Sequence, residues 1–244
     1  MSKITAAMIM GAGMGLRMRP LTDDRPKPLV TVGGKSLIDH SIDRLVAAGV
    51  TRIVVNLHYR GEMLRAHLAR RRDAEIIFSD ETDKLLDTGG GVVKALPLLG
   101  HAPFFVLNSD SIWVESATAA LPAMIAEWDA GRMDGLLLLA DMHTAMGYEG
   151  AGDFVLMDGG RIGRARDHAG APASAYPGVQ IAHPRMFEDA PEGAFSTNLM
   201  WDRAIAKGRL FGTLLNGVWI HVGTPQARDE AEAYLRALIS NFVA

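Results

Sequence analysis

A mostly parallel α/β fold, with helices on both faces of a central sheet, is the class this sequence predicts, and three observations predict it. Short apolar runs alternate with amphipathic segments through the first half of the chain, the pattern of parallel strands joined by crossover helices. The first run, ending at Met10, empties into a segment with glycine at Gly11, Gly13 and Gly15. A later run, Phe104 to Leu107, ends on Asn108, Ser109 and Asp110, and in open sheets of this class the carboxyl ends of the strands face the ligand crevice.

Each element has its own signal. Ile4 to Met10 reads as a buried strand. Ser36 to Ala48 places Leu37, Ile38, Ile42, Leu45 and Val46 on one helical face and stops at Gly49. Arg52 to Leu57 is a strand, Glu62 to Ala69 a helix whose basic end (Arg70, Arg71, Arg72) suits the helix dipole, and Glu75 to Ser79 a strand. Leu85 to Leu96 carries three glycines, Gly89 to Gly91, expected to precede a helix with open N-terminal N–H groups; Thr88 as a simple cap is the alternative.

Phe104 to Leu107 is the next strand, Ala117 to Ala130 a helix, and Gly135 to Ala140 a buried strand. Asp141 to Gly152 shows no periodicity and reads as a mobile loop or plain surface loop. Asp158-Gly159 centres a hairpin. Gly178 to Ala182 is a strand, a short helix surrounds Met186, and Asn198 to Ala206 is helical. Leu210 to Leu215 and Val218 to Val222 are strands, and Thr224-Pro225 opens a last helix from Gln226 to Leu238.

Composition narrows the function. The chain has 244 residues, 48% of them hydrophobic and 22% charged, which suits one globular domain. A net charge of −3 offers no general attraction to nucleic acid or an anionic membrane. Without cysteine there is no disulfide or thiolate metal site, and no apolar run reaches the length of a membrane span. A cytoplasmic location is the expectation.

The opening loop is the richest stretch. Its glycines let backbone N–H groups approach phosphate oxygens, and Arg17, Arg19 and Lys27 add permanent positive charge. It is no Walker loop, since G-K-[ST] is missing, and Pro20, Pro26 and Pro28 keep it irregular where a dinucleotide fingerprint would open into a helix. G-A-G-M-G-L-R-M-R-P-L-T followed by P-K-P-L resembles the signature of the sugar-1-phosphate nucleotidylyltransferases. The resemblance runs nearly the whole chain, through T-G-G-G-V-V-K-A-L-P-L-L-G to a terminal W-I-H-V-G-T, and within the family it is nearest to the short uridylyltransferases of cell-wall sugar recycling.

That resemblance implies a Rossmann-like fold of the GT-A type in a single domain, with about 1–140 the nucleotide half and about 141–244 the sugar-phosphate acceptor half. It implies transfer between UTP and a sugar 1-phosphate, N-acetylmuramic acid 1-phosphate foremost, with Mg²⁺ as cofactor and Mn²⁺ as a substitute. GTP with mannose 1-phosphate is the alternative substrate pair, and a nucleotide-sugar sensor the alternative of another class. Gly11, Ala12, Gly13, Gly15, Gly89 and Gly90 are expected to bind the nucleotide, with Arg17 on the leaving phosphates and Lys27 on the transferring one. Asn108, Asp153 and Asn198 are expected on the sugar phosphate. Asp110 is the expected metal ligand, a turn-capping Asp being the bland alternative. The late motif departs from the family pattern: His221 stands where an acid completes the metal site. Strand alternation puts His221 and Trp219 on one face, so His221 either joins Asp110 at the metal or is hydrogen-bonded to backbone. No covalent nucleophile is in evidence, and the sequence carries no signal of oligomeric state.

Overall fold

The computed structural model describes residues 3–243. In chain order the elements are β1 (Ala6–Met10), β2 (Thr31–Val32), β3 (Lys35–Ser36), α1 (Leu37–Ala47), β4 (Arg52–Leu57), α2 (Gly61–Leu68), β5 (Glu75–Asp80) and α3 (Asp87–Leu99). Then come β6 (Phe104–Asn108), β7 (Ser111–Glu115), α4 (Ala120–Glu127), β8 (Gly135–Asp141), β9 (Phe154–Leu156), β10 (Ile162–Arg164) and β11 (Ala173–Ala175). The chain closes with β12 (Val179–Ala182), α5 (Asn198–Ala206), β13 (Leu210–Leu214), β14 (Gly217–His221) and α6 (Pro225–Val243).

The strands β5, β4, β1 and β6 pair in parallel in that order, joined by the crossover helices that the alternating pattern predicts. Both faces of β1, β4 and β6 are buried, which is why they read as continuous apolar runs, while β5 at the sheet edge is only partly buried. Beyond β6 the same sheet turns antiparallel through β12 to β8. One edge of β8 is shared by β12 and, further along, β11, while the other takes β13 in parallel. The hairpin β9–β10 continues the sheet from β11, giving ten strands. Two hydrophobic clusters fill the two faces of the sheet, one under α1, α2 and α4, the other under α3 and α5.

A third cluster matters more for the site. Met18, Val30 and Val32 from the opening loop and its end pack on Ile112 of β7, Ile220 of β14, Val222 just after it, and Ala231 of α6. Met18 is fully buried, a contribution of about 2 kcal/mol that pins the middle of a loop otherwise rich in glycine and proline.

Four expectations are corrected. The segment 111–115 is a strand, β7, paired antiparallel with β14 in a separate two-stranded ribbon, so the following helix is confined to Ala120–Glu127. β11 carries no strong sequence signal and is present. The segment 141–152, expected as a mobile loop or a plain surface loop, is tied down at Met146: its N–H donates to the Trp219 carbonyl at 2.8 Å and its carbonyl accepts from His221 N–H at 2.9 Å. Finally, Gly89, Gly90 and Gly91 lie inside the first turns of α3 and do not precede it. Among the described residues, no helix is long and apolar enough to cross a membrane.

Candidate active site

The three glycines of the opening loop answer three different demands. At Gly11 the chain leaves β1 so close to β4 that an added Cβ would stand 2.9 Å from the Asn56 carbonyl oxygen. Gly15 has φ +63, the left-handed region in which a side chain is strained. Around Gly13 there is open space, so the backbone is bare to the cleft. The Gly15 carbonyl accepts from the Met18 N–H at 2.9 Å and the Thr22 hydroxyl at 2.8 Å, which turns the loop back toward Lys27. Lys27 starts a short 3₁₀ turn between its two prolines. Its ammonium donates to Asp110 Oδ2 at 2.7 Å, with the two side chains 12% and 21% exposed.

Asp110 sits where β6 hands over to β7, and its carbonyl accepts from Val222 N–H at 3.0 Å, locking the end of β14 beside it. Burial raises the Asp110 carboxyl pKa, but the hydrogen bond from His221 and the charge of Lys27 outweigh it and hold the group far below the usual carboxylate range. The register of the ribbon sets His221 opposite Ser111, one residue from Asp110. His221 Nε2 lies 3.5 Å from Asp110 Oδ2. Its Nδ1 lies 3.1 Å from the Gly147 carbonyl, an acceptor only, so Nδ1 carries a proton and Nε2 is the ring nitrogen turned to the carboxylate.

This donor set suits a divalent cation of one kind. A carboxylate and an imidazole nitrogen converge, and among the described residues no group of three or more metal-ligating side chains occurs. A hard cation that keeps waters and takes its other ligands from substrate phosphates fits here, whereas an all-protein cage does not.

Two recesses meet at this point. A cleft of about 730 Å³ is lined by Ala12, Gly13, Gly15, Arg17 and Lys27 on one side and by Asn56, Leu85, Asp87 and Thr88 on the other. A second recess of about 330 Å³ is lined by Tyr148, Asp153, Arg164, Tyr176, Asn198, Trp201, Trp219 and His221. Arg17, Asn108 and Asp110 belong to the walls of both. The expected residues are thus brought together, with three exceptions. Gly11 has its N–H bonded to Asn56 Oδ1 at 2.7 Å and is no phosphate donor. Gly89 and Gly90 are buried, and both their N–H groups are directed at the Phe195 carbonyl, at 2.8 and 3.2 Å. An added Cβ at Gly89 would meet the Phe195 ring at 2.3 Å, and one at Gly90 the Gly193 carbonyl oxygen at 2.2 Å. These glycines serve close packing of α3, and residues 85, 87 and 88 face the cleft in their place.

The wall of the smaller recess also contains residues that the sequence did not single out. Asp153 Oδ2 accepts from the Tyr148 hydroxyl at 3.1 Å and from the Tyr176 N–H at 2.8 Å. Burial and the Asp153 charge push the Tyr148 phenol up to about 12, so it remains a donor. The Tyr148 ring leans on Trp219 with centroids 5.3 Å apart, and Tyr176 meets Trp201 edge-on at 4.8 Å. Beneath the cleft, Asn56 and the fully buried Glu81 form a bridge: Asn56 Nδ2 donates to Glu81 Oε1 at 2.7 Å, and Leu86 N–H donates to Oε2 at 3.0 Å. The phosphate loop and segment 85–88 are therefore held to one another through two buried polar side chains. The signal for Glu81 was its place five residues before Leu86; nothing in its neighbourhood marked it as buried.

Comparison with known proteins gives concordant results. Residues 6–148 match the model of a family described as nucleotidyl transferase. An N-acetylmuramate alpha-1-phosphate uridylyltransferase of Caulobacter vibrioides is 48% identical over 234 residues, covering 94% of this chain and 96% of that protein. A mannose-1-phosphate guanyltransferase of Schizosaccharomyces pombe is 44% identical over only 111 residues, 43% of this chain and 30% of that protein. In fold, the chain is similar to the inositol-1-phosphate CTP transferase from T. maritima, with a TM-score of 0.74 at 18% identity over 93% of this chain and 92% of that one.

Proposed function

The chain belongs to the nucleotidyl transferase family, and on that premise we propose that it joins UTP to N-acetylmuramate 1-phosphate, releasing pyrophosphate, in the cytoplasmic recycling of cell-wall sugar. The observation that carries the reading is the Lys27–Asp110 pair, standing where a nucleotide-sized cleft opens into a smaller, aromatic-lined recess. The relative matched over nearly its full length supports UTP and the muramate sugar, since the guanyltransferase match covers only 43% of this chain and 30% of that protein.

One oxygen of the sugar phosphate attacks the α-phosphorus of UTP in line. The bond to the bridging oxygen breaks and pyrophosphate leaves with the electron pair. The attacking phosphate is already anionic, so no general base is required, and positioning and charge stabilisation do the catalysis. Bare N–H groups near Gly13 cradle the triphosphate, and Arg17, on the shared wall, holds the departing phosphates. Lys27 exchanges its partner Asp110 for the transferring phosphate. Asn108 contacts the sugar phosphate from the end of β6, while Asp153 and Asn198 take the sugar. The base rests against residues 85–88 opposite Asn56. Asp110 and His221 would hold Mg²⁺ or Mn²⁺, which when bound would supply charge neutralisation for the phosphate oxygens.

A pyrophosphate-release assay over a grid of NTPs and sugar 1-phosphates with Mg²⁺ tests this. UTP with N-acetylmuramate 1-phosphate is expected to be the fastest pair. Faster turnover of GTP with mannose 1-phosphate would overturn the substrate assignment, and absence of any reacting pair would leave a nucleotide-sugar sensor.

A further inference from the structure

The acceptor recess contains a cation for which phosphoryl transfer has no use. Arg164 ends β10 and lines the recess, yet its side chain is only 9% exposed. Its guanidinium lies over the Phe154 ring, 4.8 Å from the centroid, with Trp201 at 5.5 Å. Nε donates to Asp202 Oδ1 at 2.6 Å, and a terminal nitrogen donates to the Asn198 carbonyl at 3.0 Å. Those bonds spend two of the five N–H donors and fix the plane of the fork. A guanidinium stays charged at every working pH, and donors left unpaired in an aromatic wall are costly unless an acceptor arrives, most favourably an anionic one.

The phosphates are not that acceptor. Lys27 lines the nucleotide cleft and not the recess, whereas Arg164 lines the recess and not the cleft. Arg164 is therefore left to the part of the sugar that points away from the reacting phosphorus. Asp153 is its neighbour across the hairpin, since Arg164 pairs in register with Phe154, but the ion pair goes to Asp202 on α5. Asp153 is thus left as an acceptor for a sugar hydroxyl, and Arg164, though paired with Asp202, keeps its remaining fork donors for something negative in the recess.

We propose that Arg164 reads a carboxylate on the sugar and makes the recess selective for a sugar acid over its neutral analogue. This inference rests on the nucleotidyl-transfer reading above. An N-acetylmuramate differs from N-acetylglucosamine by a lactyl ether whose carboxylate is such a group, and a bidentate guanidinium fork suits it.

The test compares kcat/KM for three acceptors with UTP: N-acetylmuramate 1-phosphate, its carboxyl methyl ester, and N-acetylglucosamine 1-phosphate. Wild-type protein is expected to prefer the acid over both others by about 30- to 100-fold, the scale of losing a charged hydrogen-bond partner. In Arg164→Met, which keeps an apolar stem between the rings, the acid-to-neutral ratio is expected to fall to within about threefold. A purely structural arginine would lower all three acceptors alike and leave the ratio intact, which overturns the proposal. An ester as good as the acid in the wild type overturns it too, whatever the variant's folding. Should no acceptor turn over at all, the transfer reading fails by itself. Calorimetric binding of the acid and neutral sugar 1-phosphates to wild type then judges Arg164, equal affinities counting against it.

Discussion

The two halves of the candidate site are built in opposite ways. The glycine-loop side is largely local: residues 11–30 form one loop whose glycines, prolines and cations lie within twenty positions, braced by Asn56 behind and the Met18 cluster beneath. The acceptor side is assembled from distant pieces, with Tyr148 before the β9–β10 hairpin, Tyr176 after β11, Asn198 on α5, and Trp219 and His221 on β14. Local chemistry can be read from spacing, whereas assembled chemistry depends on sheet order and register. A substitution on the first side should act on the reaction common to all substrates, and one on the second side on the choice among them.

The largest effect expected is at Lys27. Lys27→Ala should lower kcat/KM by about 100-fold or more, the size of removing a preorganised charge from the transferring group, with the melting temperature within a few degrees of wild type. Lys27→Arg should recover little, because a planar fork does not replace a point charge between two prolines. A large thermal shift with activity kept would place Lys27 in the fold and erase the contrast between the two sides.

Next in size is Asp153→Asn. The amide oxygen can still accept from Tyr148 and the Tyr176 N–H, so the wall keeps its shape, but an NH₂ replaces the acceptor offered to the sugar. Loss of one hydrogen bond to a charged group should raise KM for the sugar 1-phosphate by about 10- to 100-fold while KM for UTP changes little. Equal increases in both constants would show that the recess and the cleft do not act separately.

The same contrast explains what was legible. Strands β1, β4, β5 and β6 and Asp110 follow from apolar runs and their polar ends, because parallel crossover units are sequence-local. β7 was not legible: S-I-W-V-E has a partner about one hundred residues away in G-V-W-I-H, and two-stranded antiparallel pairing leaves no nearby turn to reveal it. Arg164 was not legible either, since its burial comes from Phe154 and Trp201 closing over it. The glycines of α3 were seen and misplaced. A glycine that admits a neighbouring ring and one that admits a ligand look the same in sequence, and only Phe195 and Gly193 tell them apart.

That misplacement sets the third prediction. In Gly89→Ala the new methyl group meets the Phe195 ring inside packed structure, an overpacking cost of about 2 kcal/mol, or some 4 to 8 °C in melting temperature for a chain of this size. Once folded, the variant should keep its KM for UTP, as neither the N–H nor the α-carbon of Gly89 faces the cleft. A raised KM at unchanged stability would return the residue to the nucleotide site.

The smallest expected effect is at His221, where the two sides join. The ribbon register and the Gly147 carbonyl aim Nε2 at Asp110. Ligation by a neutral imidazole gives the cation site one negative charge fewer than a second carboxylate would, and it favours borderline metals over hard ones. Replacing His221 by Asp should therefore strengthen Mg²⁺ relative to Mn²⁺, moving the ratio of half-saturating concentrations by about three- to tenfold toward Mg²⁺. The shorter carboxylate also gives up the hydrogen bond to Gly147, which costs stability by about 1 kcal/mol and makes the thermal shift a control on the substitution. The measurement is turnover against each metal for wild type and His221→Asp at one pH and saturating substrates. An unchanged metal ratio beside the expected thermal shift would make His221 a strand-end residue that only holds segment 141–152 to β14, leaving the cation to Asp110 and the phosphates.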